Sequence, residues 1–178
     1  LRAFLLADAE NTGKRRNILS VPPFYSAEPE FLEELLKKRE IPAEDIDNIL
    51  EFAHSQRELA EKILKNGGIT DEIPIISREE FERHPTVLPL SGMFYGKDIC
   101  LTYDEYSEHI RQTERFMQTH ENYIAEFTKA NAFRNLQILI HEGQWAMISK
   151  GNAPAIHFVI HHPKLRSAIE NFIPPVVE

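Results

Sequence analysis

The sequence predicts an α+β fold: an N-terminal helical hairpin followed by a mostly antiparallel sheet of about four strands with packing helices. Three observations predict it. Residues 30–66 carry apolar side chains at helical spacing, interrupted at Ile41-Pro42. Residues 136–161 hold three short β-rich runs between turn signals. At Pro163 the apolar spacing returns to that of a helix. On this reading residues 1–70 form a helical hairpin region and residues 71–178 an α+β domain, with one continuous domain as the alternative.

Residues 1–10, with Phe4, Leu5 and Leu6, read as the tail of a helix. Residues 11–27 hold Gly13, Pro22 and Pro23 and read as a loop. From Glu28, the side chains of Phe31, Leu32, Leu35 and Leu36 share one stripe, and Lys37, Lys38 and Arg39 fall in the last turn, where cations suit the helix dipole. Pro42 opens the longest helix, with Glu44 and Asp45 in its first turn. Ile46, Ile49, Leu50 and Ala53 share a face, Leu59, Ala60, Ile63 and Leu64 continue it, and Gly67-Gly68 stop it. At about 1.5 Å per residue this helix spans about 33 Å. The charged outer faces of the hairpin are either solvated or part of a dimer interface.

Beyond the hairpin, Ile73, Ile75 and Ile76 suggest an edge strand, because Pro74 cannot donate to a ladder. Ser77 with Glu80 makes a capping box for a short helix ending at His84-Pro85, and Thr102 with Glu105 makes a second. Between them, Pro89 and Gly92 punctuate a loop and Ile99-Cys100-Leu101 is a short strand. The helix after Thr102 places Tyr106, Ile110, Thr113, Phe116 and Met117 on one side. Tyr123, Ala125 and Phe127 then alternate with a period of two, and residues 136–141, 144–149 and 155–161 are three further strands. Lys150-Gly151-Asn152 marks the turn between the last two. The final helix carries Leu165, Ala168, Ile169 and Phe172 as its buried stripe and ends at Pro174-Pro175.

A two-residue turn at Glu142-Gly143 pairs His141 with Gln144 and Ile140 with Trp145. Ile138, Ile140, Trp145 and Met147 then share one apolar face, onto which Ile156, Phe158 and Ile160 stack. His141, His157 and His161 fall on the opposite, half-polar face. That face is wet, covered by a partner, or the floor of a ligand site.

The composition narrows the function classes. With 42% hydrophobic and 27% charged residues the chain can bury a core. No apolar run approaches the roughly 18 residues that cross a bilayer, and nothing reads as a signal peptide. A formal net charge of -8 repels a phosphate backbone unless a local basic face offsets it. The only tight basic cluster, Lys14, Arg15 and Arg16, reads as a solvated loop, so the chain is not expected to contact nucleic acid by itself. The single cysteine, Cys100, excludes an internal disulfide framework and fits a reducing cytoplasm. Its apolar neighbours Ile99 and Leu101 point to a buried, inert thiol.

Reaction chemistry is nearly present and then fails. His141-Glu142-Gly143-Gln144-Trp145 begins like the HExxH zinc motif, but Trp145 stands where the second ligand belongs, and His120-Glu121 fails the same way at Ile124. His162-Pro163-Lys164 matches the first half of the HxK(x)4D motif of the phospholipase D superfamily, with Ile169 in place of the aspartate. No GxSxG, GxGxxG or P-loop pattern occurs. Residues 57–65 look like the first helix of a helix-turn-helix, but no basic second helix follows. The chain is therefore not expected to be an enzyme, and no catalytic residue, cofactor or metal is assigned. His141, His157 and His161 are the candidate ligand-binding residues.

The helix pair at 30–66, the run LPLSGMFYGKDICLTYDEYSEHI at 88–110, the segment HENYIAEF at 120–127 and the block from Asn135 to Phe172 together resemble the C-terminal region of a bacterial Xre-type helix-turn-helix regulator. The resemblance covers nearly the whole chain. It implies the sensing or oligomerising part of a transcription factor, with a homodimer, a small-molecule effector, and DNA contacted only through an N-terminal domain outside this chain. The rival readings are a metal-dependent hydrolase built on the histidine face and a purely structural interaction domain.

Overall fold

The first strand of this protein is polar, and that decides the architecture. Residues Gly13–Ile18, GKRRNI, alternate in burial, with Arg15 and Asn17 turned inward. Inward polar side chains are tolerated only where buried partners satisfy them, and both have such partners. The computed structural model describes residues 2–85, 87–88, 99–129, 136–150 and 156–172.

In chain order, α1 (Arg2–Asp8) leads into β1 (Gly13–Ile18). A 3₁₀ turn at Phe24–Ser26 and the helices α2 (Pro29–Lys38) and α3 (Ala43–Asn66) then lead to β2 (Gly67–Pro74). After β2 come α4 (Arg78–Arg83), the short strands β3 (Val87–Leu88) and β4 (Ile99–Cys100), α5 (Tyr103–Thr119) and β5 (Tyr123–Thr128). The chain closes with β6 (Gln137–His141), β7 (Trp145–Lys150), β8 (Ile156–Ile160) and α6 (Pro163–Phe172).

Six strands form one mixed sheet in the order β5-β2-β1-β6-β7-β8. The pairs β1–β2 and β2–β5 are parallel; β1–β6, β6–β7 and β7–β8 are antiparallel. Parallel neighbours need long crossovers, and here α2 with α3 supplies one and α5 the other. Both put helices on the same sheet face. Ala60 and Leu64 of α3 and Phe116 of α5 pack there against Ile69, Ile73, Tyr123 and Ala125. Ile169 of α6 covers Ile18, Ile138, Ile140 and Ala146 on the other face. A further apolar cluster joins the helices away from the sheet, through Leu35, Leu36, Ile49, Phe81 and Tyr106.

The expected helical hairpin followed by a four-stranded, mostly antiparallel sheet is thus corrected. The described residues form six helices and a six-stranded mixed sheet beside the β3–β4 pair. Helices α2 and α3 are the crossover between two parallel strands. Residues 13–18, expected as loop, are a central strand, because the charge of Arg15 is neutralised inside the fold. Ile73 belongs to β2, an inner strand flanked by β1 and β5 rather than an edge; Pro74 sits at its last position, where a missing donor costs least.

The register of the β6–β7 hairpin is also corrected by one residue. His141 pairs with Trp145 and Ile140 with Ala146, because the turn spans Glu142, Gly143 and Gln144. Gln144 N–H donates to the His141 carbonyl at 2.9 Å, and Gly143 takes the left-handed conformation, φ 75°. The slip moves Trp145 and Met147 to the face of His141, since side chains alternate with a period of two. That face is the one covered by α1, α3 and α5. Ile156, Phe158 and Ile160 do lie on the side of Ile138 and Ile140.

Two smaller expectations are overturned. Helix α6 buries no residue completely, and Leu165 and Phe172 are 58% and 73% exposed, so the supposed buried stripe is largely open. Cys100 is exposed, not buried. Ser77 and Thr102 both cap their helices. The Ser77 hydroxyl accepts from Glu80 N–H, and Thr102 with Glu105 makes a complete capping box on α5. The loop expected at Pro89 and Gly92, the turn at Gly151-Asn152 and the stop at Pro174-Pro175 lie outside the described residues.

Candidate ligand-binding site

The helix-covered sheet face carries two buried polar networks with a cavity beside them. Arg15 and Asn17 of β1, Ile69 and Asp71 of β2, and Leu139 and His141 of β6 all point to this face, as the strand register requires.

The first network centres on Asp8, the last residue of α1. Its Oδ2 accepts from Arg15 Nε at 3.1 Å and Nη2 at 2.9 Å, and its Oδ1 accepts from His141 Nδ1 and Trp145 Nε1, each at 2.8 Å. Burial pushes the Asp8 carboxyl up. The hydrogen bonds from Trp145 and His141 and the Arg15 guanidinium more than offset this, holding it below the usual carboxylate range. Arg15 also donates to the carbonyls of Asp8, Gly13 and Asn11.

His141 is fully buried, and its Nε2 lies 3.1 Å from the Thr12 carbonyl. Both ring nitrogens therefore face oxygens that only accept. Gly13 (φ 136°) lies directly over the ring: a Cβ there would stand 2.6 Å from His141 Nε2. The network fastens α1 to three strands and leaves no open position on the imidazole.

The second network centres on Asp71, also fully buried. Its Oδ1 accepts from Asn17 Nδ2 at 2.8 Å, and its Oδ2 accepts from the hydroxyls of Tyr123, at 2.8 Å, and Tyr25. Burial pushes the Asp71 carboxyl up to about 6, against the pull of these three donors. The Tyr25 and Tyr123 hydroxyls are pushed well above the usual phenol range, by burial first and by the Asp71 charge second.

Between α1, α3 and the sheet lies a cavity of about 90 Å³. Its walls are mostly apolar: Leu5 of α1, Leu59, Ala60 and Ile63 of α3, Ile69, Leu139 and Trp145. Asp8, Arg15, Asn17, Tyr25 and Gln56 supply its polar atoms. An apolar recess with a few convergent polar groups is what small-molecule sites look like. At this size it holds several waters or a ligand of few non-hydrogen atoms.

The three histidines singled out from the sequence are not brought together. His141 is sealed beneath Gly13. His157 is exposed on the edge strand β8, with Nδ1 2.9 Å from Ser149 Oγ. His161 is exposed, its ring centroid 6.1 Å from that of Phe4. Among the described residues no group of three or more His, Cys, Asp or Glu side chains is disposed to hold a metal ion. In the phospholipase D half-motif His162 is exposed, and Ile169 packs against the β-sheet core.

Sequence reasoning missed Asp8, Arg15, Asn17, Tyr25, Asp71 and Trp145. The available signal was the alternation in Lys14-Arg15-Arg16-Asn17 together with the acidic pair Asp71-Glu72, which supplies partners across the β1–β2 ladder. No helix among the described residues is long and apolar enough to cross a membrane. No family model, curated protein or solved structure matches the chain.

Proposed function

We propose that this chain is the sensing module of a transcriptional regulator, working in the reducing cytoplasm, that binds a small molecule between α1, α3 and the sheet and does not transform it. The observation that carries the reading is the cavity bounded on one side by α1. Leu5 and Asp8 of α1 both line it, and the Asp8 carboxylate accepts hydrogen bonds from side chains of β1, β6 and β7. Occupancy of the cavity therefore bears directly on the seat of α1. In the resembled regulators the DNA-binding domain precedes this region, so α1 lies on the side from which a signal must leave. A ligand acts only through its different affinity for two positions of that helix.

Self-association is the second part of the proposal. Among the described residues β8 ends the sheet, and Ile156, Phe158 and Val159 on it, with Leu165 and Phe172 on α6, are exposed. An apolar strand whose outer ladder side is unpaired among the described residues is a pairing surface.

The test is a thermal-shift screen of small metabolites on the wild type and on Ala60→Leu, which places a side chain in the cavity. A true effector at about a hundredfold its Kd raises the wild-type melting temperature on the order of 5–10 °C. It leaves the filled variant unmoved. Equal shifts in both proteins, or none in either, defeat the proposal.

A further inference from the structure

Resting on the reading of this cavity as a ligand site, we infer that its ligand is a small uncharged molecule, largely apolar, with a single hydrogen-bonding head held by Asn17 and Gln56.

The electrostatics of the walls exclude a charged ligand. Arg15 and Asp8 line the cavity but neutralise each other through two hydrogen bonds, and the second Asp8 oxygen is taken by His141 and Trp145. Asp71, behind Asn17 and Tyr25, is closed by two hydroxyls and an amide. Lys62, about one turn after Leu59 and next to Ile63 on α3, is paired with Glu10. Among the described residues, a carboxylate entering the cavity finds no unpaired cation and an ammonium no unpaired carboxylate. Burying either ion without a counter-charge costs several kcal/mol, more than a contact area this small returns.

The two amides are different. Asn17 donates through Nδ2 to Asp71, and its amide oxygen accepts no hydrogen bond from the described residues. The Gln56 amide, half-buried on α3, forms no hydrogen bond with the described residues. Together they offer two acceptors and at least two donors beside an apolar recess. An amide, alcohol or lactone head on a short branched hydrocarbon satisfies them. The hydrocarbon then lies against Leu59, Ile63 and Leu139.

A matched trio tests this on the full chain: 3-methylbutanamide, 3-methylbutanoate and 3-methylbutylammonium, which share one skeleton and differ in charge. Backbone and side-chain amide shifts in ¹⁵N-correlated spectra report binding. The neutral amide should move the Asn17 and Gln56 side-chain signals and the backbone signals of Ala60 and Leu139. Both ions should bind roughly tenfold more weakly or worse. Gln56→Ala, at a half-buried position that leaves both networks intact, should weaken the amide by roughly tenfold and leave the folded spectrum unchanged. If an ion binds the cavity as well as the amide does, the ligand class is wrong while the cavity remains a ligand site. If the amide binds and Gln56→Ala is neutral, the assigned head contact is wrong. If none of the three moves any cavity signal, the site reading itself falls with the inference.

Discussion

The residues that organise this protein are charged ones that sit inside it. Asp8→Ala leaves the Arg15 guanidinium buried without its partner, a change that costs about 3–5 kcal/mol. Urea unfolding should show it, and a loss below about 1 kcal/mol would show that α1 is not fastened through Asp8. Gly13→Ala forces a methyl onto the His141 ring at a φ of 136°, so it should cost about 1–3 kcal/mol or more in the same assay. Asp71 and His109 make opposite contributions to acid behaviour. Asp71, raised to about 6, holds a proton in the folded state that the unfolded chain releases near pH 4. Its contribution is present at low pH and is lost as pH rises from about 4 to 6. His109 is fully buried, with Nδ1 unpartnered among the described residues and Nε2 3.1 Å from the Pro23 carbonyl, and burial pushes it down to about 4. Its contribution is present above about 6.5 and is lost as pH falls from there to about 4. Each is therefore read as a difference from a variant. Across pH 4 to 6 the wild type should lose stability relative to Asp71→Asn, and below pH 6.5 it should lose stability relative to His109→Gln. Flat differences would remove the linkage. The alternation of Lys14 to Asn17 was the one local sign of this in the sequence, and it is weak. A charged triplet such as Lys14-Arg15-Arg16 is ordinarily solvated, and Asp71 lies far from it in the chain.

At the scale of elements, the helices were legible and the sheet only partly. The stripes of α2, α3 and α5 and the Thr102 capping box follow from local spacing, and spacing is local information. Thr102→Ala should accordingly cost about 1 kcal/mol, measured by thermal unfolding. Strand β1 was hidden because its inward residues are Arg15 and Asn17, whose burial depends on partners in α1 and β2. The β6–β7 register was missed because Glu142-Gly143 suggests a two-residue turn, whereas Gln144 is part of the loop and Trp145 turns toward Asp8. That single step brings Trp145 onto the face of His141, where it joins the Asp8 network. Hydrogen exchange should rank the strands by their place in the sheet. Amides of β1 and β2, paired on both sides, should exchange slowest, and those of β8 should exchange faster once the chain is diluted below the concentration at which it self-associates. Protection of β8 equal to that of β1 would mean its edge is covered in solution.

The whole molecule joins a sheet with α1, α3 and α5 on one face and α6 on the other, a cavity beneath α1, and an apolar strand at the end of the sheet among the described residues. The net charge of -8 makes direct phosphate binding by this chain unfavourable, which suits a module that senses and relays. Static light scattering on the purified chain should give the mass of a dimer, and Phe158→Asp on β8 should return it to a monomer. A concentration-independent monomer would remove the association part of the proposal. The most direct test of the central claim is amide hydrogen exchange with and without a stabilising small molecule from the screen. The account predicts slowed exchange confined to α1 and to the segment of α3 around Gln56–Ile63. Protection elsewhere, with those two segments unchanged, would contradict it.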